Sequence, residues 1–263
     1  MPNSAQISSH RFDLQALAQD IAQRLQAAVQ ARGQAVLCVS GGQSPVVLFQ
    51  ALRVLPVAWH QVRIGLVDER CVPSQHEASN ARLVRQHLLQ DLAAAATLVP
   101  LIAEGDDEGD GDDGGDKTPV SLSPRSLSPR SLSPPQVAAR TATLAMRQLG
   151  AADVLVLGMG TDGHTASLFP EAVNLPAALD PTQSPACVAI ELAHPPANAP
   201  YARVSQNLSM LLTARHIVLP VTGADKLAVL ERALLSKSLT LPVSHVLHQS
   251  RAEVAVWRDP PQL

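Results

Sequence analysis

Short apolar runs that stop abruptly at glycine or charge, separated by stretches of helical periodicity, set the tightest limit on how this 263-residue chain can fold. Val36-Leu37-Cys38-Val39 is the clearest run: too short for a helix, rich in β-formers, and broken at Ser40-Gly41-Gly42-Gln43-Ser44-Pro45. Ahead of it, Leu14, Leu17, Ala18, Ile21, Leu25, Ala28 and Val29 recur at helical spacing. Asp13 reads as the N-cap of that helix and Gly33 as its closing residue, while Ser44 and Pro45 read as the cap and first turn of the next. The alternation continues, with strands predicted at 62–67, 97–102, 153–157, 186–192, 203–208, 216–221 and 253–257, and helices at 78–89, 137–149 and 225–235. Several of these strands are apolar throughout, which requires cover on both faces. The expected fold is therefore α/β: a mostly parallel open sheet with helices on both faces, Rossmann-like, with residues 1–263 as a single domain.

One segment breaks the order. Residues 103–135 begin with Gly and Asp and continue as the repeat Ser121-Leu122-Ser123-Pro124-Arg125, then 126–130, then 131–135. Such a composition buries too little apolar surface to offset its ordering entropy, so it reads as a low-complexity disordered insertion within the domain. It also distorts the charge balance. Eight acidic residues and one basic residue lie between Glu104 and Lys117, which leaves +4 for the rest of a chain whose formal charge is −3. A mildly basic body suits a small anionic substrate and is too weak to imply nucleic acid; an aromatic content of 2% removes stacking platforms for single strands as well. No run approaches the roughly 20 apolar residues of a membrane span, and residues 1–11 do not read as a signal peptide. With three scattered cysteines, these features point to the cytoplasm.

Three strand ends carry candidate chemistry, since open α/β sheets bind ligands at the carboxyl ends of their strands. Ser40-Gly41-Gly42 lets the backbone approach a ligand closely. Asp68-Glu69-Arg70 places three charges directly after an apolar strand: Arg70 can clamp an oxyanion, and the carboxylates can hold hydroxyls or orient it. Cys71 beside them reads as an inert, half-buried thiol. The third, Gly158-Met159-Gly160-Thr161-Asp162-Gly163-His164, follows the run Val154-Leu155-Val156-Leu157 and sets a titratable imidazole among small residues, as a general base requires. Lys226, opening a helix after Thr222-Gly223, and Arg203, opening a strand, are further candidate cations. His245 and His248 are spaced for opposite faces of a strand, so no metal pair is read there.

Taken together, these loops resemble 6-phosphogluconolactonases. The likeness rests on Ser40 to Pro45, on Val67 to Pro73 with Ser79-Asn80, on Leu157 to Pro170, and on Val221 to Lys226, in the order of that family. The related glucosamine-6-phosphate deaminases share the Ser-Gly-Gly loop, but carry Ile-Ala-Phe-Asn-Glu where this chain has Thr165-Ala166-Ser167-Leu168-Phe169. The resemblance implies hydrolysis of a small sugar-phosphate lactone without cofactor or metal. His164 would take a proton from water, and Asp162 would orient the imidazole or bind substrate. Arg70, Lys226 and Arg203 would hold the 6-phosphate, with Ser40, Gly41, Gly42 and Asp68 completing the substrate site. A sugar-phosphate deaminase or isomerase, and a non-catalytic sugar-phosphate-binding protein, are the competing readings. The sequence assigns no oligomeric state.

Overall fold

The computed structural model describes residues 7–102, 134–193 and 201–260. The chain starts with β1 (Ile7–Arg11) and passes Asp13, whose carboxylate accepts the N–H of Ala16 at 2.9 Å, into α1 (Leu14–Arg32). The apolar stripe expected of this helix is buried from Leu17 to Val29, worth about 1.5–3 kcal/mol for each Leu or Ile. Gly33 ends the helix at φ 74°, a left-handed conformation that returns its N–H to the Val29 carbonyl. β2 (Ala35–Val39), α2 (Val46–Leu52), β3 (Val62–Leu66), β4 (Asp68–Arg70), α3 (Asn80–His87) and β5 (Thr97–Val99) follow. After the segment at 103–133 come α4 (Pro134–Leu149), β6 (Val154–Val156), α5 (Leu175–Ala178), β7 (Cys187–Ile190), β8 (Arg203–Gln206) and α6 (Leu208–Leu211). The chain ends with β9 (His216–Val221), α7 (Ala224–Leu235), α8 (Val243–Leu247) and β10 (Glu253–Arg258).

Seven strands form one sheet in the order β1-β10-β9-β6-β2-β3-β5, and every pairing in it is parallel. Connections out of β2 step toward the β5 edge, and those out of β6 step toward the β1 edge. Right-handed crossovers then place α1, α2 and α3 on one face and α4, α7 and α8 on the other. The packing agrees: α1 lies on α2 and α2 on α3, α4 covers β3 and β5, and α7 meets α8. β2 and β6 are therefore neighbours whose chains leave in opposite directions. Their carboxyl ends flank the crevice where such sheets bind ligands.

Some expectations need correction. β7 and β8 do not join the parallel sheet; with β4 they make a second, antiparallel sheet in the order β4-β8-β7. Asp68-Glu69-Arg70 is thus a strand rather than a loop, because Gln206 N–H bonds the Val67 carbonyl and the chain turns directly from the large sheet onto the small one. Ser44 does not cap α2. Pro45 holds the N-cap position without a side-chain hydrogen bond, and the Ser44 hydroxyl accepts from Lys226 instead. The run at 203–208 stops as a strand at Gln206, since Asn207 caps α6 by accepting the N–H of Met210 at 2.9 Å. His245 lies in α8 rather than in a strand, and His248 follows as its C-cap. Pro134 and Pro135 open α4, so the expected insertion stops short of them. The rest of that segment lies outside the described residues.

Candidate active site

β6 ends at Val156, and Gly158 donates its N–H to the Ser40 hydroxyl at 3.0 Å, while the N–H of Ser40 bonds the Val156 carbonyl at 3.0 Å. The two loops at the switch point are thereby fastened to each other. From Gly158 the chain makes a tight excursion closed by Gly160 N–H to the His164 carbonyl, 2.9 Å, and by Gly163 N–H to the Gly160 carbonyl, 3.1 Å. His164 Nδ1 lies 2.6 Å from Asp162 Oδ1, which also accepts the His164 backbone N–H at 3.1 Å. An ionised carboxylate can only accept, so Nδ1 is the donor to it, and in the neutral imidazole Nε2 is then the nitrogen left with a lone pair. Burial works to raise the Asp162 carboxyl, but the hydrogen bond and charge of His164 outweigh it and hold the group below its ordinary value.

Gly160 makes this pair possible. A Cβ there would stand 2.3 Å from His164 Nδ1 and 2.4 Å from Asp162 Oδ1, so no other residue leaves room for both side chains. Gly41 has a similar part in the neighbouring loop, where the Asn80 amide occupies the volume that its Cβ would need. Asn80 in turn donates from Nδ2 to the Asp68 carbonyl at 2.9 Å, tying the loop after β2 to β4.

Two of the three candidate cations come from the second sheet, and the third, Lys226, lies in α7. Arg70 and Arg203 are direct partners across β4 and β8. Arg70 is held by a hydrogen bond from Nη1 to the Ala78 carbonyl, 2.6 Å. Its backbone is fixed by Glu69, a buried carboxylate that accepts the N–H groups of Arg70, Asn80 and Ala81 at 2.7 Å each and the Ser79 hydroxyl at 3.2 Å. Burial pushes the Glu69 carboxyl up, against those backbone donors. Arg203 is only 5% exposed, and its Nε has no hydrogen-bond partner among the described residues. Burial, and then the charge of Arg70, pull its guanidinium below its ordinary value, with Asp68 opposing. Asp68 itself accepts the Ser167 hydroxyl at 2.5 Å. Burial, and after it Glu69, push the Cys71 thiol up, as suits the inert reading.

Ser40, Gly41, Gly42, Asp68, Arg70, His164, Arg203 and Lys226 all line one cleft of about 210 Å³ at the switch point. Of the residues singled out in the sequence, Asp162 stays off its wall and reaches it through His164, and Glu69 lies behind it, bonded to the backbone of Arg70. The structure adds Ser44, Asn80, Ala166 and, behind the wall, Ser167 and Phe169. The signal for Ser167 and Phe169 was their place in the same polar loop as His164; nothing in their type announced them. Among the described residues, no group of three or more His, Cys, Asp or Glu side chains is placed to hold a metal ion, and no helix is long and apolar enough to cross a membrane.

Comparison with known proteins agrees with this geometry. Residues 12–257 match the family model for glucosamine-6-phosphate isomerases and 6-phosphogluconolactonase. The 6-phosphogluconolactonase of Pseudomonas putida is 40% identical over 88% of this chain and 84% of its own length. That of Neisseria meningitidis is 36% identical over 92% and 93%. The crystal structure of a 6-phosphogluconolactonase from Shewanella baltica superposes with a TM-score of 0.76 at 35% identity, covering 99% of this chain and 100% of that one.

Proposed function

Because the chain belongs to the glucosamine-6-phosphate isomerase/6-phosphogluconolactonase family, we infer that it is a hydrolase that opens 6-phospho-D-glucono-1,5-lactone to 6-phospho-D-gluconate, the lactone-hydrolysing step of the oxidative pentose phosphate pathway. The observation that carries the reading is the His164–Asp162 pair at 2.6 Å, opening on a cleft walled by Arg70, Arg203 and Lys226. His164 Nε2 takes a proton from water as the hydroxide oxygen bonds to the lactone C1. The tetrahedral oxyanion collapses, the bond from C1 to the ring oxygen breaks, and the proton on His164 passes to that departing oxygen. Asp162 holds the imidazole in the required tautomer and supports its positive charge between the two transfers. A δ-lactone is an activated ester, so a base supplying about 10²–10⁴-fold, with positioning, is sufficient without a covalent nucleophile or a metal.

Arg70 and Arg203 hold the 6-phosphate, with Lys226 at the rim near Ser44, while the loop at Ser40, Gly41 and Gly42 and the Asp68 carboxylate meet the sugar. The deaminase reading is disfavoured by Thr165, Ala166 and Ser167, which follow the histidine where ring-opening amine chemistry would need a carboxylate. A pure binder has no use for an imidazole with its tautomer fixed. The substrate is a small soluble anion, and the cytoplasm is the compartment that fits it.

The test is turnover of freshly prepared 6-phosphogluconolactone, corrected for spontaneous opening, beside an ammonia assay with glucosamine 6-phosphate. His164→Ala is expected to fall to the spontaneous rate. Full activity in that variant, or ammonia release by the wild type, would overturn the reading.

A further inference from the structure

Phe169 touches both halves of the site. Its ring centroid lies 4.5 Å from that of His164, tilted by 38°, and the Arg203 guanidinium carbon lies 5.2 Å from the same centroid. We propose that Phe169 is a positioning residue, a single ring that sets the aim of the general base and the seat of the phosphate-binding guanidinium together. The proposal rests on the functional reading above.

The chain is bent for this contact. Leu168 N–H returns to the Thr165 carbonyl at 3.0 Å, Thr165 and Leu168 form an isolated antiparallel bridge, and Ala166 sits inside the turn at φ 49°. A left-handed alanine is disfavoured on steric grounds. Here it folds residue 169 back onto residue 164. Phe169 is then fixed by its own N–H to the Ser167 carbonyl and by its carbonyl to the Ala172 N–H, 3.1 Å each, and it packs partly buried against the core.

Each neighbour lacks something the ring supplies. Among the described residues the His164 side chain is anchored through Nδ1 alone, and one hydrogen bond leaves the imidazole free to swing about it; a ring against the imidazole removes that freedom and fixes where Nε2 points. Arg203 is nearly buried, its Nε is unpartnered among the described residues, and the charge directly across the strand pair is another arginine. Attraction of a guanidinium to an aromatic ring holds such a group without using the donors it must keep for an anion. Because both groups contact the same ring, their separation is fixed, and with it the distance between the attacked carbonyl and the phosphate of the substrate.

The test uses Phe169→Met and Phe169→Leu, which keep apolar bulk without a ring, and Phe169→Tyr, which keeps the ring. Steady-state turnover of the lactone and the thermal shift produced by inorganic phosphate at constant ionic strength are measured for each. Folded Met or Leu variants are expected to lose about tenfold in kcat, and to gain about tenfold in KM with a matching loss of the phosphate shift. Phe169→Tyr should stay within about threefold of wild type on all three. If a non-aromatic variant melts lower yet keeps wild-type kcat and KM, the ring is only packing and the proposal fails. If the wild type itself shows no lactone turnover, the functional reading has failed instead; the phosphate shift then still decides whether Phe169 seats Arg203.

Discussion

Arg70 and Arg203 face each other directly across the antiparallel pair of β4 and β8, and among the described residues neither has a carboxylate within ion-pair distance. Like charges directly opposite in a sheet are destabilising, so the free protein holds repulsion that an anion between the two side chains would relieve. Arg203→Met should therefore raise KM for the lactone by about 10–100-fold, from loss of a charge-assisted contact worth about 1.5–3 kcal/mol, with a much smaller change in kcat. Without ligand, the same variant should be no less stable than wild type. Thermal melts with and without phosphate separate the two effects: wild type gains stability from phosphate and the variant gains little.

Gly160 gives a sharper test of the dyad than replacing either partner. In Gly160→Ala the new methyl group falls on His164 Nδ1 and Asp162 Oδ1, so the pair must separate while both groups remain. If the fixed tautomer and aim of His164 are what matter, kcat should fall by about 10²-fold or more with KM little changed. Circular dichroism and the melting temperature check that the fold is retained. A fully active Gly160→Ala would show that Asp162 is dispensable as an orienting partner.

Much of this was legible in the sequence, and the gaps have physical causes. β2, β6 and β9 declared themselves because strands covered on both faces must be apolar throughout, and the polar groups after β2 and β6 marked the site because buried strands rarely end in such residues without a use for them. The second sheet was not legible. β4 is Asp68-Glu69-Arg70, which carries no apolar pattern, and its extended form is imposed by pairing with β8 and by the donors around Glu69. β1 escaped for a related reason: it is an exposed edge strand, Ile7-Ser8-Ser9-His10-Arg11, whose pairing with β10 is a tertiary fact. The link between Ser44 and Lys226, 182 positions apart, lies beyond any local pattern.

His216 should make the fold sensitive to acid. It is 3% exposed, with Nδ1 at 3.1 Å from Glu253, Asp20 at 3.8 Å from Nε2, and Arg24 nearby on α1. Burial, and then Arg24, depress its pKa below the ordinary 6.5, although Glu253 and Asp20 oppose them. His245 is depressed in the same direction, by burial and then by Lys237 and His248. A histidine depressed in the folded state binds its proton less readily there than in the unfolded chain. Below about pH 6.5 the unfolded state therefore takes up more protons, and stability falls as pH drops through that value toward the folded-state pKa. Urea unfolding at pH 7.5 and 5.5 should show this loss, and His216→Asn, which cannot be protonated, should reduce it. An unchanged pH slope in the variant would remove His216 as the cause.

Gly41 and Asn80 should prove energetically coupled. A Cβ on residue 41 would stand 1.9 Å from Asn80 Oδ1, so Gly41→Ala forces the amide to move and breaks its bond to the Asp68 carbonyl. Asn80→Ala breaks the same bond, leaving that carbonyl unpaired at a cost of about 1–3 kcal/mol, but it also empties the space that the alanine methyl needs. Each single variant should be destabilised. The double variant should be less destabilised than the two losses added together, by about 0.5–3 kcal/mol, as for residues in direct contact. Simple additivity in urea unfolding would mean that the loop after β2 is not seated on Asn80. The coupling expected here would place the Ser40–Gly42 wall of the cleft under the control of β4, the strand that also carries Asp68 and Arg70.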